Sequence, residues 1–130
     1  MTDNTLHLNL KRKWFDMILK GIKTEEYRDI KPFWDKRFWH LFPQEIKGET
    51  FYPIVDTITF SNGYSKTRSQ FVIELKSLKK RTGIENWGAN KDVKYYVFEL
   101  GKIIKAGRQG FHFRITEEMP LNEIVNTLNM

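Results

Sequence analysis

Residues 6–28 read Leu6-His7-Leu8-Asn9-Leu10-Lys11-Arg12-Lys13-Trp14-Phe15-Asp16-Met17-Ile18-Leu19-Lys20-Gly21-Ile22-Lys23-Thr24-Glu25-Glu26-Tyr27-Arg28. Leu6, Leu8 and Leu10 alternate with His7 and Asn9, the two-residue period of a half-buried strand. The period then changes. Trp14/Ile18 and Phe15/Leu19 recur four apart, which places them along one face of a short amphipathic helix, and Gly21 supplies a residue on which such a helix can end. Thr24 to Arg28 predicts a second short strand.

Outward from this unit, Pro32 opens a second helical turn carrying Phe33, Trp34, Phe38, Trp39 and Phe42. Residues 43–53, with Pro43, Gly48 and Pro53, read as a connection. Val55 to Phe60 is a strand, and Asn62-Gly63 is a turn signal. Gln70 to Leu78 is another strand, with Phe71, Ile73 and Leu75 facing the core. Gly83 to Gly88 forms a loop, Tyr95 to Ile104 a further strand, and Phe111, Phe113 and Ile115 alternate in another. Leu121, Ile124, Val125 and Leu128 make one face of a closing helix begun near Pro120. There is no internal repeat, low-complexity tract or linker, so residues 1–130 read as one domain. The fold class is α+β: a small barrel-like domain of five to six strands with two to three short helices.

Hydrophobic residues make up 40% of the chain and charged residues 29%, which separates it from disordered sequences. The apolar runs are too short to span a membrane, and the N-terminus lacks the basic-then-apolar order of a secretory signal. With no cysteine there are no disulfides or thiolate metal sites, and the expected compartment is the cytoplasm. His7, His40 and His112 are not spaced as metal ligands, and no nucleotide-type glycine loop occurs, so no metal or cofactor is expected. The net charge of +6 favours a polyanion partner, and the charge is clustered. Lys76, Lys79, Lys80 and Arg81 form one run; Lys102, Lys105, Arg108 and Arg114 form a second, while residues 117–130 carry acids only.

Two constellations carry chemistry. Lys11, Arg12 and Lys13 crowd the start of the first helix, where the backbone already presents partial positive charge; this is a natural anion site or a solvated charge run. On a strand, Glu26 and Arg28 share a face and Glu25 and Tyr27 the other, while Lys23 at the corner has a stem long enough to reach Glu26's side. A carboxylate between two cations suits accepting a hydrogen bond from a base better than donating a proton; a structural salt-bridge network explains the same residues.

The spacing Gly21-x-Lys23-x-x-Glu26-x-Arg28 after a strand and an amphipathic helix resembles the signature of the ASCH-domain family (activating signal cointegrator homology), in the PUA-like superfamily of small β-barrels. Lys13-Trp14-Phe15-Asp16-Met17-Ile18, Glu26 to Pro32, and Trp87-Gly88 ahead of Tyr95-Tyr96-Val97 and Leu100-Gly101 add to the resemblance, which covers most of residues 5–105. It implies a PUA-like barrel and RNA binding in a cleft between the first helix and the barrel. Some members resemble amidohydrolases acting on N4-acetylcytidine, with a Lys, a Thr nucleophile three residues later and a downstream Glu; others are described as ribonucleases. Here the position three after Lys23 is Glu26, Thr24 lies at another step, and Glu85 falls in the later region.

The expected partner is therefore RNA, single-stranded or locally unpaired, or a nucleotide-like ligand. Lys11, Lys13, Lys23 and Arg28 are the expected contacts to phosphate or base, with Glu26 ordering them or accepting from a base. Trp34 and Trp87 are the expected stacking residues, chosen from a set that also holds Trp39, Tyr27 and Tyr64, whereas Phe33, Phe38 and Phe42 are expected to pack. The alternative is a hydrolase on RNA or a modified nucleoside, with Lys23 and Glu26 catalytic.

Overall fold

The computed structural model describes residues 5–38, 41, 44–46, 49–51, 55–63, 68–108, 111–114 and 124. The expected Trp39, Phe42, Tyr64 and Ile115 lie outside the described residues, as does all of the expected closing helix except Ile124, which is buried against the core.

The chain runs β1 (Thr5–Leu10), α1 (Arg12–Leu19), β2 (Glu25–Asp29), α2 (Pro32–Phe38), β3 (Gln44–Ile46), β4 (Glu49–Phe51), β5 (Thr57–Asn62), β6 (Ser69–Thr82), β7 (Lys94–Arg108) and β8 (Phe111–Arg114), with a 3-10 turn at Glu85–Trp87. The fold is α+β. A mixed sheet has the order β1-β5-β6-β7-β2, and β8 pairs with β7 as a sixth strand. β1 and β5 are parallel; every other described pair is antiparallel.

Two expectations are corrected. Residues 43–53 are not a plain connection: β3 and β4 pair there as a small separate sheet, too short to leave a period in the sequence. The strands expected over Gln70–Leu78 and Tyr95–Ile104 are longer, because each partner supplies the other with a ladder regardless of side-chain pattern. Register shifts between Val72 and Ser77 break the alternation midway, and there Glu74 turns its carboxylate onto the N–H of Lys102 at 3.0 Å.

Residues directly opposite across an antiparallel ladder share a face. Glu26 faces Phe98 and Arg28 faces Tyr96, so both project to the side on which the main core lies. That core joins Leu8 and Leu10 of β1, Phe15, Ile18 and Leu19 of α1 and Phe38 of α2 to Phe60, Phe71, Ile73, Leu78, Tyr96 and Phe98. Phe15 packs on Phe71 with ring centroids 4.8 Å apart, and Phe38 sits edge-on to Tyr96 and Phe98. Burying a side chain of this size contributes about 1.5–3 kcal/mol, so α1 and α2 are fixed to the sheet by packing. Phe33 departs from expectation: it is 57% exposed, edge-on to Trp34. On the opposite face Tyr95 and Val97 pack with Ala89 and Tyr27 in a smaller cluster, under residues 83–93.

Among the described residues no helix is long and apolar enough to cross a membrane.

Candidate functional site

The site begins with the way α1 ends. Gly21 adopts φ +75°, its N–H bonds the Ile18 carbonyl at 3.0 Å, and the Ile22 N–H reaches back to the Met17 carbonyl at 2.9 Å. This pair of bonds is the Schellman arrangement, and glycine takes its left-handed position without the Cβ penalty. The Lys23 N–H joins the same Met17 carbonyl at 3.1 Å, so the chain is turned by the helix end before β2 starts. Lys23 is thereby folded inward. Its side chain is only 2% exposed, and Nζ donates to Glu26 Oε1 at 2.7 Å. The Lys23 ammonium also lies 4.5 Å from the Trp14 ring centroid and 5.5 Å from that of Tyr27.

Glu26 is held from its other oxygen as well. Arg28 Nη2 donates to Glu26 Oε2 at 2.9 Å and to the backbone carbonyl of Asn9 at 2.8 Å. β1 and β2 stand at opposite ends of the strand order, and this guanidinium bridges them through a side chain. Arg28 Nε is buried and makes no hydrogen bond among the described residues. The guanidinium carbon lies 5.1 Å from the Trp34 ring centroid, and Trp34 stacks in turn on Phe38 at 5.1 Å.

These groups line a cleft of about 330 Å³ formed by Asn9, Leu10, Lys11, Trp14, Glu26, Tyr27, Arg28, Asp29 and Trp34. Ligand pockets run from roughly 300 to 1,000 Å³, so this one falls at the small end of that range. Two indoles supply apolar walls, the carboxylates of Glu26 and Asp29 and the Arg28 guanidinium supply the polar edge, and Lys11 is exposed at its border. The start of α1 adds to the positive potential: Lys11, at its N-cap, provides no side-chain cap, and no acid occurs in the first turn.

Of the residues expected from the sequence, Lys11, Glu26, Arg28 and Trp34 line the cleft. Lys23 does not; it stands behind Glu26 as a buried counter-ion. Lys13 is exposed, with Nζ 4.6 Å from the Trp14 ring centroid, and Trp87 lies on the 3-10 turn outside the cleft lining. The sequence reading missed Trp14, Asn9, Leu10 and Asp29. Trp14 had a signal, lying on the helix face but next to the basic run; the Asn9 carbonyl, a backbone group, had none.

The basic run at 76–81 is not one track. Lys79 and Arg81 pair with Glu99 and Glu25 on the face opposite the main core, while Lys80 lies 5.4 Å from the Tyr96 ring. Burial works to raise the Glu25 carboxyl, but hydrogen bonds from Arg81 and Tyr27 with the Arg81 charge outweigh it and hold it below the usual range. Glu99 is held low by Lys79, with Ser77 assisting. Burial, with the Tyr27 hydroxyl donating a hydrogen bond to Glu25, pushes Tyr27 up to about 12 despite the N–H that Ile84 gives it. Burial and the Asp35 carboxylate likewise push Tyr96 up to about 12. These pairs lock the sheet and the first turn of α2, not the cleft chemistry.

Among the described residues no three His, Asp or Glu side chains group as cation ligands. Compared with known proteins, the chain matches no family model, no curated protein and no solved structure.

Proposed function

We propose that this chain binds RNA, single-stranded or locally unpaired, by taking a base into the cleft between α1 and the sheet. One observation carries the reading: the Glu26 carboxylate, held between Lys23 and Arg28, lies in a base-sized cleft walled by Trp14 and Trp34. A buried acceptor already bonded to two cations favours recognition of N–H donors on a base edge over proton transfer. Stacking on an indole contributes about 1–3 kcal/mol per base, and Lys11 with the net charge of +6 favours the phosphate backbone. The resemblance to ASCH domains supports the same reading, and with it we read the sheet as a PUA-like barrel, with Arg28 joining its two edge strands. A cytoplasmic location goes with the absence of cysteine.

Fluorescence anisotropy with a short labelled single-stranded RNA tests this at 50 and 200 mM salt. We expect binding that weakens with salt, and Trp34→Ala to weaken it by about tenfold to a hundredfold. Wild-type affinity retained in Trp34→Ala, or no binding at low salt, would overturn the assignment. The recovered RNA, run on a denaturing gel beside Glu26→Gln, tests the hydrolase alternative: strand cleavage lost in the variant would replace binding by catalysis.

A further inference from the structure

The base-sized cleft does not stand alone. A second cleft of about 440 Å³ adjoins it, lined by Asn9, Leu10, Lys11, Arg12, Asn62 and Gly63. Asn9, Leu10 and Lys11 line both. The shared floor is firm: Leu10 is buried, Asn9 and Leu10 are in register with Ser61 and Asn62 of β5, and the Gly63 N–H bonds the Leu10 carbonyl at 3.3 Å.

The two clefts differ in charge. The first mixes cations with Glu26 and Asp29, as suits a base with donors and acceptors on its edge. In the second, the charged lining residues among those described are Lys11 and Arg12, and none of the described lining residues is a carboxylate or an aromatic ring. That lining offers two cations and no stacking ring among the described residues, as a sugar-phosphate segment would need. Arg12 is engaged only loosely, 3.6 Å from Asp16 with 67% of its side chain exposed, and such exposed pairs exchange at little cost. A free nucleoside seated in the first cleft leaves the second unused.

Resting on the function proposed above, we infer that the two clefts are successive subsites of one groove, built for a strand of at least two nucleotides. The base sits in the Glu26 cleft, Lys11 meets the phosphodiester at the junction, and Arg12 meets the next phosphate. The ligand is then a strand, not a free nucleotide.

Calorimetry with unlabelled ribonucleotides tests the inference: a 5′-monophosphate, then the 5′-phosphorylated di- and trinucleotide, for each of the four bases. For the preferred base, the dinucleotide is expected to bind about tenfold more tightly than the monophosphate. Arg12→Gln should erase that gain and leave the monophosphate affinity unchanged. Equal affinity for mono- and dinucleotide overturns the two-subsite groove while the base cleft stands. A gain that survives Arg12→Gln undiminished overturns the placement of the second phosphate. No binding at any length removes the proposed function, and the inference with it.

Discussion

Lys23 shows how one side chain can be indispensable to a site it does not line. Its ammonium is buried behind Glu26, and a carboxylate that loses such a partner keeps its desolvation cost without the compensation. Lys23→Met is therefore expected to lower the unfolding free energy by about 3 kcal/mol or more, read from denaturant melts. A loss under about 1 kcal/mol would mean that Arg28 alone suffices to hold Glu26. Lys23 is then a positioning residue. The sequence predicted the Lys23–Glu26 contact, because the stem is long enough to cross the strand; it did not predict that the ammonium would be sealed from the cleft. That follows from the Trp14 and Tyr27 rings beside the ammonium, which come from different elements.

At the scale of elements, the rear of the cleft depends on the loop between β6 and β7. Gly88 closes the 3-10 turn at φ +101°, and a Cβ there would lie 2.9 Å from Cζ2 of Trp14. An indole is rigid, so it must swing as a body. The Ile84 N–H meanwhile donates to the Tyr27 hydroxyl at 2.9 Å, which ties the same loop to a second cleft residue. Gly88→Ala is expected to cost about 1–2 kcal/mol of stability from the left-handed backbone and to shift the tryptophan emission. RNA affinity should fall in parallel. Unchanged affinity with the stability loss present would show that Trp14 is not a wall of the working site. The motif Trp87-Gly88 was visible in the sequence, but its weight falls on the glycine, since the Trp87 ring lies outside the cleft lining.

The whole molecule responds to pH through the ion pairs on the far face of the sheet and through one tyrosine on each face. Glu25 and Glu99 are held below the ordinary carboxyl range, so between their folded and unfolded pKa values the unfolded chain binds more protons. Stability from these groups is full above the unfolded value of about 4.3 and is lost as pH falls through the folded ones. Tyr27 and Tyr96, raised to about 12, act in the opposite sense: their contribution is full below about pH 10 and fades between 10 and 12. Thermal midpoints are expected to drop on both flanks. Arg81→Met should flatten the acid flank, because it removes the hydrogen bonds and charge that lower Glu25. An acid flank identical to wild type would show that the network does not set it.

The local elements around the site are legible in the order of residues alone: the strand-helix-strand unit over 6–28, the glycine that ends α1, and the placing of Glu26 with Arg28 on one strand face. Each of these follows from short-range periodicity or from a backbone conformation that one residue type accepts. The α+β class followed too, since the patterns of both periods are present. Which cations meet the cleft depends on how the strands and helices pack. Lys11 lies at its border and Lys23 behind it, while Lys79 and Arg81 are engaged by acids on the other face. Charge clusters in a sequence carry no record of their partners, because the partners stand on strands brought alongside by ladder pairing. The bridge from Arg28 to the Asn9 carbonyl is the clearest case. It spans 19 residues and uses a backbone acceptor, a group every residue possesses, so only the packed sheet could single it out.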